Sequence, residues 1–423
     1  MKGKKIIGIV ILLVCIAICG SVGYSIYTQA QEDIAEWKAT TWFVFSNSIE
    51  SFNDAEYVTK EEIQEYEVKT DIYNAGVYHS KLNEREQLVY KAYQYALDNN
   101  YVYTYVDGTM LTENDLPASD IIVLLSLDSA IVQQNMSAVE YSSSHTIGTN
   151  IYGIDVEKEV EGFIVSAETF SKQRISRVNK AIDELEKVDF EFTEQATDEE
   201  KAKAIFEYVE KNVDYAENLF ANDKSVKGEA VSAASGSEDY LYSAVFKGKT
   251  NCDGFANMYS ILCQINGIQC IEKVYFSEVE GEAGHTWNSI NVNGKWYNVD
   301  CTESIEEQNS PEQELKLQTA TQFGFSDELQ VHSHDYAEYA PVCSENLMRI
   351  DGTFAESSAS GMSSKIASYV REAEDGMAVF VVYNFDEDAL GDTMQSVANN
   401  LRADIRFVYY EREKCYICCV YKK

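Results

Sequence analysis

A cysteine, a histidine and an aspartate stand in order within three short blocks of the chain. Cys252 lies in G-K-T-N-C-D-G-F-A-N-M-Y (Gly248–Tyr259), His285 in G-H-T-W-N (Gly284–Asn288) and Asp300 in W-Y-N-V-D-C-T (Trp296–Thr302). They are 33 and then 15 residues apart. A thiolate can attack a carbonyl carbon, an imidazole can carry the proton to the leaving group, and a carboxylate can orient that imidazole. Whether the three cooperate depends on the elements that carry them.

The first block reads as a helix start. Asn251 or Thr250 can cap a helix whose apolar positions are Phe255, Met258, Tyr259, Leu262 and Ile265, with Asn266-Gly267 as its stop signal. Cys252 then falls in the first turn, where unpaired N–H groups and the helix dipole favour the thiolate. Gly254 leaves room for another chain or a substrate to approach that turn.

The other two blocks read as a hairpin. Thr286–Val292 and Lys295–Val299 flank Asn293-Gly294, the dipeptide favoured in a two-residue type I′ turn. Such a turn sets Val292 opposite Lys295, which puts Trp287 opposite Asp300 and His285 opposite Thr302. His285 and Asp300 become diagonal neighbours on one face, roughly 7–8 Å apart at Cβ or less, within reach of a hydrogen bond. Ile290, Val292, Tyr297 and Val299 occupy the other face, as a core-facing surface requires. Taken singly, each residue has a plainer explanation: a cysteine at a helix start or a polar residue on a strand usually packs rather than reacts.

The blocks together resemble bacterial members of the transglutaminase-like superfamily, whose core has a papain-like fold. The matching residues are Tyr242, Gly248, Cys252, Gly254, Phe255 and Ala256, then Gly284 to Asn288, then Trp296, Tyr297, Asp300 and Thr302. The resemblance covers about residues 197–343. It implies Cys252 as nucleophile, His285 as general base and acid, and Asp300 as the orienting carboxylate. The Cys252 N–H would be one oxyanion donor, with Tyr242 a candidate for the second and Trp287 a further residue of the oxyanion and substrate cleft. Cys301, beside the aspartate, departs from the pattern.

Length and composition set the frame. A chain of 423 residues exceeds one ordinary core. Its 45% hydrophobic and 12% aromatic content is that of a globular protein. Its net charge is −36, and every acidic residue lies beyond position 30. Such a field repels nucleic acid and anionic headgroups, so nucleic-acid binding is excluded as an expectation.

Lys2, Lys4 and Lys5 precede an uncharged run from Ile6 to Gln31. That run is long enough to span a bilayer, with the lysines holding the N-terminus inside and the rest extracellular. Signal cleavage after Thr28-Gln29-Ala30, giving a secreted chain, is the alternative. Eight cysteines follow the anchor, too few for a disulfide scaffold. Cys415-x-x-Cys418 has no second pair at zinc spacing, and His332 and His334 in H-S-H-D read as surface residues, so no metal is expected. The acyl-transfer chemistry needs no cofactor.

Outside the core, Asn83 with Glu86 and Thr197 with Glu200 read as capping boxes. Tyr101–Val106 and Thr109–Leu111 read as a hairpin about Asp107-Gly108, and Ile121–Leu127 as a short buried run. Residues 151–154 and 162–165 read as strands, residues 221–238 as a loop, residues 303–314 as a polar connection and residues 356–364 as a linker. Helices near Lys365–Glu374 and Ala389–Leu401 alternate with strands at Ala378–Asn384, Ile405–Tyr410 and Cys415–Tyr421.

The resulting expectation is an α+β protein with a papain-like transglutaminase core, an N-terminal membrane anchor and flanking α+β domains. Residues 1–30 are the transmembrane anchor or signal segment, 31–170 an α+β leader domain, 171–344 the core and 345–423 a small C-terminal domain. The expected function is a cell-surface cysteine enzyme acting on protein or peptide amide bonds, of the cell envelope in particular, by hydrolysis or transamidation through a thioester. A catalytically silent surface module with the same fold is the alternative.

Overall fold

The computed structural model describes residues 43–45, 56–66, 74–99, 103–107, 111–151, 154–169, 172–216, 240–276, 284–302, 311–330, 334–412 and 414–422. The expected anchor at 1–30, the loop at 221–238 and His332 lie outside them. Among the described residues no helix is long and apolar enough to cross a membrane.

The chain divides into two compact units. The first holds residues 1–67, 83–122 and 138–169, so it is assembled from three separate stretches. Its strands are β1 (Phe43–Phe45), β2 (Glu56–Val58), β3 (Tyr103–Asp107), β4 (Met136–Ile151) and β5 (Ile154–Thr169), in the order β1-β4-β5-β3-β2. Helices α1 (Lys60–Glu65) and α2 (Glu84–Asn99) accompany the sheet. The Asn83 box holds: the Asn83 N–H donates to Glu86 Oε2 at 2.8 Å and the Glu86 N–H to Asn83 Oδ1 at 3.2 Å.

The hairpin expected about Asp107-Gly108 falls partly outside the described residues; β3 itself lies between β5, antiparallel, and β2, parallel. Both of its edges are therefore taken by distant strands. The short strand expected at 162–165 is part of the 16-residue β5, whereas the one expected at 151–154 takes in the last residue of β4, the first of β5 and residues 152–153, which lie outside the described residues. The buried run at Ile121–Leu127 sits inside helix α3 (Ala118–Asp128) and is buried there.

The second unit takes residues 68–82, 123–137 and 170–423. Its helices are α4 (Ala130–Asn135), α5 (Lys172–Leu185), α6 (Asp198–Asn212), α7 (Tyr240–Lys247), α8 (Cys252–Ile265) and α9 (Pro311–Gln322). The Thr197–Glu200 box caps α6 with both reciprocal bonds. A short parallel pair, β6 (Asp214–Tyr215) with β7 (Lys249–Thr250), leads into α8. The main sheet runs β11 (Phe323–Phe325), β10 (Lys295–Val299), β9 (His285–Val292), β8 (Cys270–Tyr275). Phe255, Met258, Tyr259 and Leu262 of α8 join Ile290, Val292, Tyr297 and Val299 of the sheet in one apolar core. The cap, the periodicity and the strand alternation thus bury the faces that the sequence marks apolar.

The last stretch builds a sheet β12-β13-β15-β14 from Gly352–Glu356, Met377–Asn384, Tyr416–Lys422 and Ile405–Glu411. Helices α10 (Met362–Glu372) and α11 (Glu387–Leu401) cover one face. The other face packs on Leu317, Phe325, Leu329 and Met348. Cys418 and Cys419 point into these two opposite layers, as adjacent strand residues must. The expected linker at 356–364 is ordered instead. Glu356 closes β12, parallel to β13, and buried Ser357 accepts the Asp386 N–H at 2.8 Å. Small polar residues there serve hydrogen bonding within the fold rather than chain freedom.

Candidate active site

Cys252 is the first residue of α8. Asn251 caps the helix by accepting the Gly254 N–H at 3.3 Å. The preceding residues are held in place as well: Asp214 N–H donates to Gly248 O at 2.8 Å and Ala216 N–H to Thr250 O at 2.9 Å. The close approach expected at Gly254 is made by the chain itself. A Cβ there would lie 1.9 Å from Thr250 Oγ1, so the first turn of α8 folds directly over that buried side chain.

The hairpin has the expected register. Asn293 and Gly294 have φ of 54° and 81°, and the ladder runs from Lys295 opposite Val292 to Val299 opposite Asn288. His285 Nε2 and Asp300 Oδ2 are 2.7 Å apart. Asp300 is buried, its N–H donates to Gln322 O at the end of α9, and its Oδ1 receives the Thr302 N–H at 3.0 Å and hydroxyl at 2.5 Å. Both carboxylate oxygens are therefore occupied, one by the imidazole. The half-buried Cys252 thiol hydrogen-bonds the same imidazole. Because Nε2 is engaged by Asp300, Nδ1 is the nitrogen left for the thiol.

Electrostatics follow from this geometry. Desolvation, the largest influence, pulls His285 down, but the charge and hydrogen bond of Asp300 together with Cys252 hold it well above the ordinary 6.5. Burial pushes Asp300 up, and His285 and Thr302 more than reverse it, leaving the carboxyl below its usual range. The charged form of the imidazole is thus favoured where it stands between a carboxylate and a thiol at a helix N-terminus. That is the setting in which a cysteine becomes a nucleophile.

A second set of contacts joins the helix to β9 of the hairpin and to β8 beside it. Thr286 Oγ1 donates to Asp253 Oδ1 at 2.7 Å, Asn288 Nδ2 to Ala256 O at 3.0 Å and Asn257 Nδ2 to Glu272 Oε1 at 3.0 Å. Burial, with the Asp253 charge beside it, drives Glu272 well above the usual carboxylate range. Asp253, Asn257 and Glu272 escaped the sequence reading, and Asn288 entered it only as part of the matched block. One signal was available: Thr286 and Asn288 are polar residues at core-facing positions of a strand, where an unpartnered polar group is costly.

Residues 187–301 match the model of the transglutaminase-like superfamily. This segment belongs to the transglutaminase-like superfamily. It contains the helix that begins at Cys252 and the hairpin through Asp300. A kyphoscoliosis peptidase from Mus musculus is 35% identical over 63 residues, which are 13% of this chain and 10% of the relative. The matched part thus spans about a tenth of that curated relative's length. Among solved structures, a TGase is 16% identical, with 49% of this chain and 52% of that one aligned at a TM-score of 0.22. A candidate cysteine protease from Cytophaga hutchinsonii is 14% identical over 39% of this chain and 62% of that one, at a TM-score of 0.21.

The other expected site residues of the transglutaminase-like segment are placed as follows. Tyr242 is half-buried on α7 with its ring 4.6 Å from that of Phe246, and it makes no hydrogen bond to Cys252 or His285. Trp287 is buried, its ring stacked on the His285 imidazole at 5.8 Å and 18°. Cys301 turns into the apolar core on the opposite face, and burial raises its thiol well above the ordinary 9.0. All eight cysteines among the described residues are free. Among the same residues no group of three or more metal-ligating side chains occurs.

Proposed function

We propose that this protein is a cysteine acyltransferase or hydrolase acting on protein or peptide amide bonds, with Cys252 as nucleophile. The observation that carries this reading is the His285 imidazole held between Asp300, at 2.7 Å, and the Cys252 thiol. In the reaction the Cys252 sulfur attacks the carbonyl carbon and a C–S bond forms. His285 then gives its proton to the departing amine as the C–N bond breaks, leaving a thioester. Water or a second amine attacks the thioester, its proton passes to His285, and the thiolate returns. Water yields a peptidase or amidase, and an amine yields a crosslink. The Cys252 N–H at the head of α8 is the first oxyanion donor; Tyr242, on the neighbouring helix α7, is the second candidate.

We further propose, from the uncharged run at Ile6–Gln31 behind three lysines, that the catalytic part stands outside a membrane, anchored or released by cleavage. Substrates of the cell envelope follow from that location.

Iodoacetamide labelling of Cys252 across pH, followed by peptide mass spectrometry, tests the catalytic reading. Cys252 should label readily near neutral pH while Cys263 and Cys270 do not, and His285→Ala should remove the advantage. Equal labelling of all three in the folded protein would leave only a silent binding module.

A further inference from the structure

The face of the sheet that carries His285 and Trp287 also carries a fully buried lysine. Lys273 of β8 stands opposite Trp287 in the ladder and has no exposed surface. Its Nζ has three partners, matching its three protons: Asp327 Oδ1 at 3.0 Å, Asn298 Oδ1 at 3.2 Å and Cys343 Sγ at 3.5 Å. A seam between a sheet and a covering segment is ordinarily filled with apolar side chains, and burying an ammonium is costly. A built lysine site next to a catalytic pair therefore needs a reason.

Asn298 is the hub of the cluster. Its Oδ1 accepts from Lys273, from Ser289 Oγ at 2.8 Å and from Trp287 Nε1 at 3.3 Å, while its Nδ2 donates to Asp327 Oδ1 at 2.9 Å. Asp327 in turn accepts the Cys343 N–H at 2.8 Å through its other oxygen. The indole is thus tethered at its N–H, and its plane can no longer turn freely. That plane is the surface on which the imidazole lies at 18°. His334 meets the indole edge-on, at 6.2 Å and 69°.

The titratable groups around this cluster do not compete with that role near neutrality. Burial pushes the Cys343 thiol to about 11, and burial with the Lys273 charge holds His334 below the ordinary histidine range. Burial raises Asp327, but Lys273 and the hydrogen bonds of Asn298 and Cys343 bring it below its usual value. Tyr78, whose hydroxyl donates to Glu272 O at 2.9 Å, is held well above 10.0 by burial.

We propose that Lys273 is a positioning residue for His285, acting through Asn298 and Trp287. It locks the indole against which the imidazole is stacked, so the ring keeps one nitrogen on Asp300 and the other toward Cys252. The inference rests on the reading of Cys252 as an activated nucleophile.

The test measures the pH dependence of Cys252 alkylation in the full chain, with fold checked by near-ultraviolet circular dichroism. Lys273→Met keeps the stem and removes the donors. Trp287→Phe keeps a stacking ring and removes only the N–H that reaches Asn298. Each should slow alkylation near neutral pH by roughly ten- to a hundredfold, the scale on which small displacements of a reacting group act. The double variant should be no slower than the worse single one, because both cut the same route. Lys295→Ala, at the far end of the hairpin, should leave the profile unchanged. A folded Lys273→Met with the wild-type profile overturns the inference alone, as do additive effects in the double variant. If Lys273→Met does not fold, a wild-type profile in Trp287→Phe overturns it. A wild-type Cys252 that reacts like an ordinary thiol overturns the catalytic reading and this inference with it.

Discussion

Thr286 hydrogen-bonds Asp253 at 2.7 Å, and each of these residues is the chain neighbour of a residue proposed to react. Thr286 follows His285 and Asp253 follows Cys252, so a single bond from strand to helix fixes the pair that matters. Thr286 is buried, and the Asn251 cap supports the other Asp253 oxygen at 3.2 Å. Burial raises Asp253 and these two bonds pull it back only in part.

Thr286→Val should therefore do two things. It should cost about 1 kcal/mol of stability by leaving a partly buried carboxyl oxygen short of a donor. It should also slow Cys252 alkylation, because the helix start is no longer tied to β9. Urea denaturation and thiol labelling measure the two effects separately.

Asp300→Asn keeps the shape of the side chain but loses the charge that holds His285 protonated. A comparable substitution behind a catalytic histidine lowers turnover by about four orders of magnitude, and a loss of that order is expected here once a substrate is in hand. Before then, labelling of Cys252 near neutral pH should fall toward that of His285→Ala.

The pH dependence of stability has a definite sign. His285 has a folded-state value well above 6.5, so its contribution is full below about 6.5 and is lost as pH rises through the folded value. Asp300 lies below 3.8 when folded, so its contribution is full above that and is lost as pH falls through the lower value. Urea midpoints for wild type and His285→Ala should thus converge on the alkaline side.

Gly254→Ala would set a methyl group 1.9 Å from Thr250 Oγ1, with the Thr250 Cβ at 2.7 Å, so no rotation of that side chain clears the clash. The first turn of α8 must shift. We expect a loss of about 1–3 kcal/mol, typical of overpacking, together with loss of Cys252 activation. Thermal melts and labelling of the same sample check it.

Much of the site was legible in the chain because its signals are local. Asn251 capping α8 and Asn293-Gly294 turning the hairpin depend on residues within a few positions. Once the turn is set, the two-residue period of strands carries His285 and Asp300 to one face without further information. The same locality misled the reading of β3. Asp107-Gly108 is a sound turn signal, yet Tyr105 of β3 pairs with Tyr57 of β2 and Ile164 of β5, which are brought in from 48 and 59 residues away by the fold of the whole unit. Ser357, Ser289 and Asn298 look like loop or surface residues in the chain, and all three are buried and hydrogen-bonded.

The sequence by itself determined the likeness of residues 187–301 to the superfamily, the meeting of His285 with Asp300, the helix that begins at Cys252 and the hairpin register. Each rests on backbone preferences and periodicities that a short segment already contains. Only the tertiary structure decided what surrounds them: the Thr250 side chain under Gly254, the Thr286–Asp253 clasp, and the lysine behind Trp287. Those contacts join residues from 4 to 54 positions apart. Most of their partners meet only after the core has excluded water, and it is that exclusion which makes each polar contact strong enough to orient a neighbour.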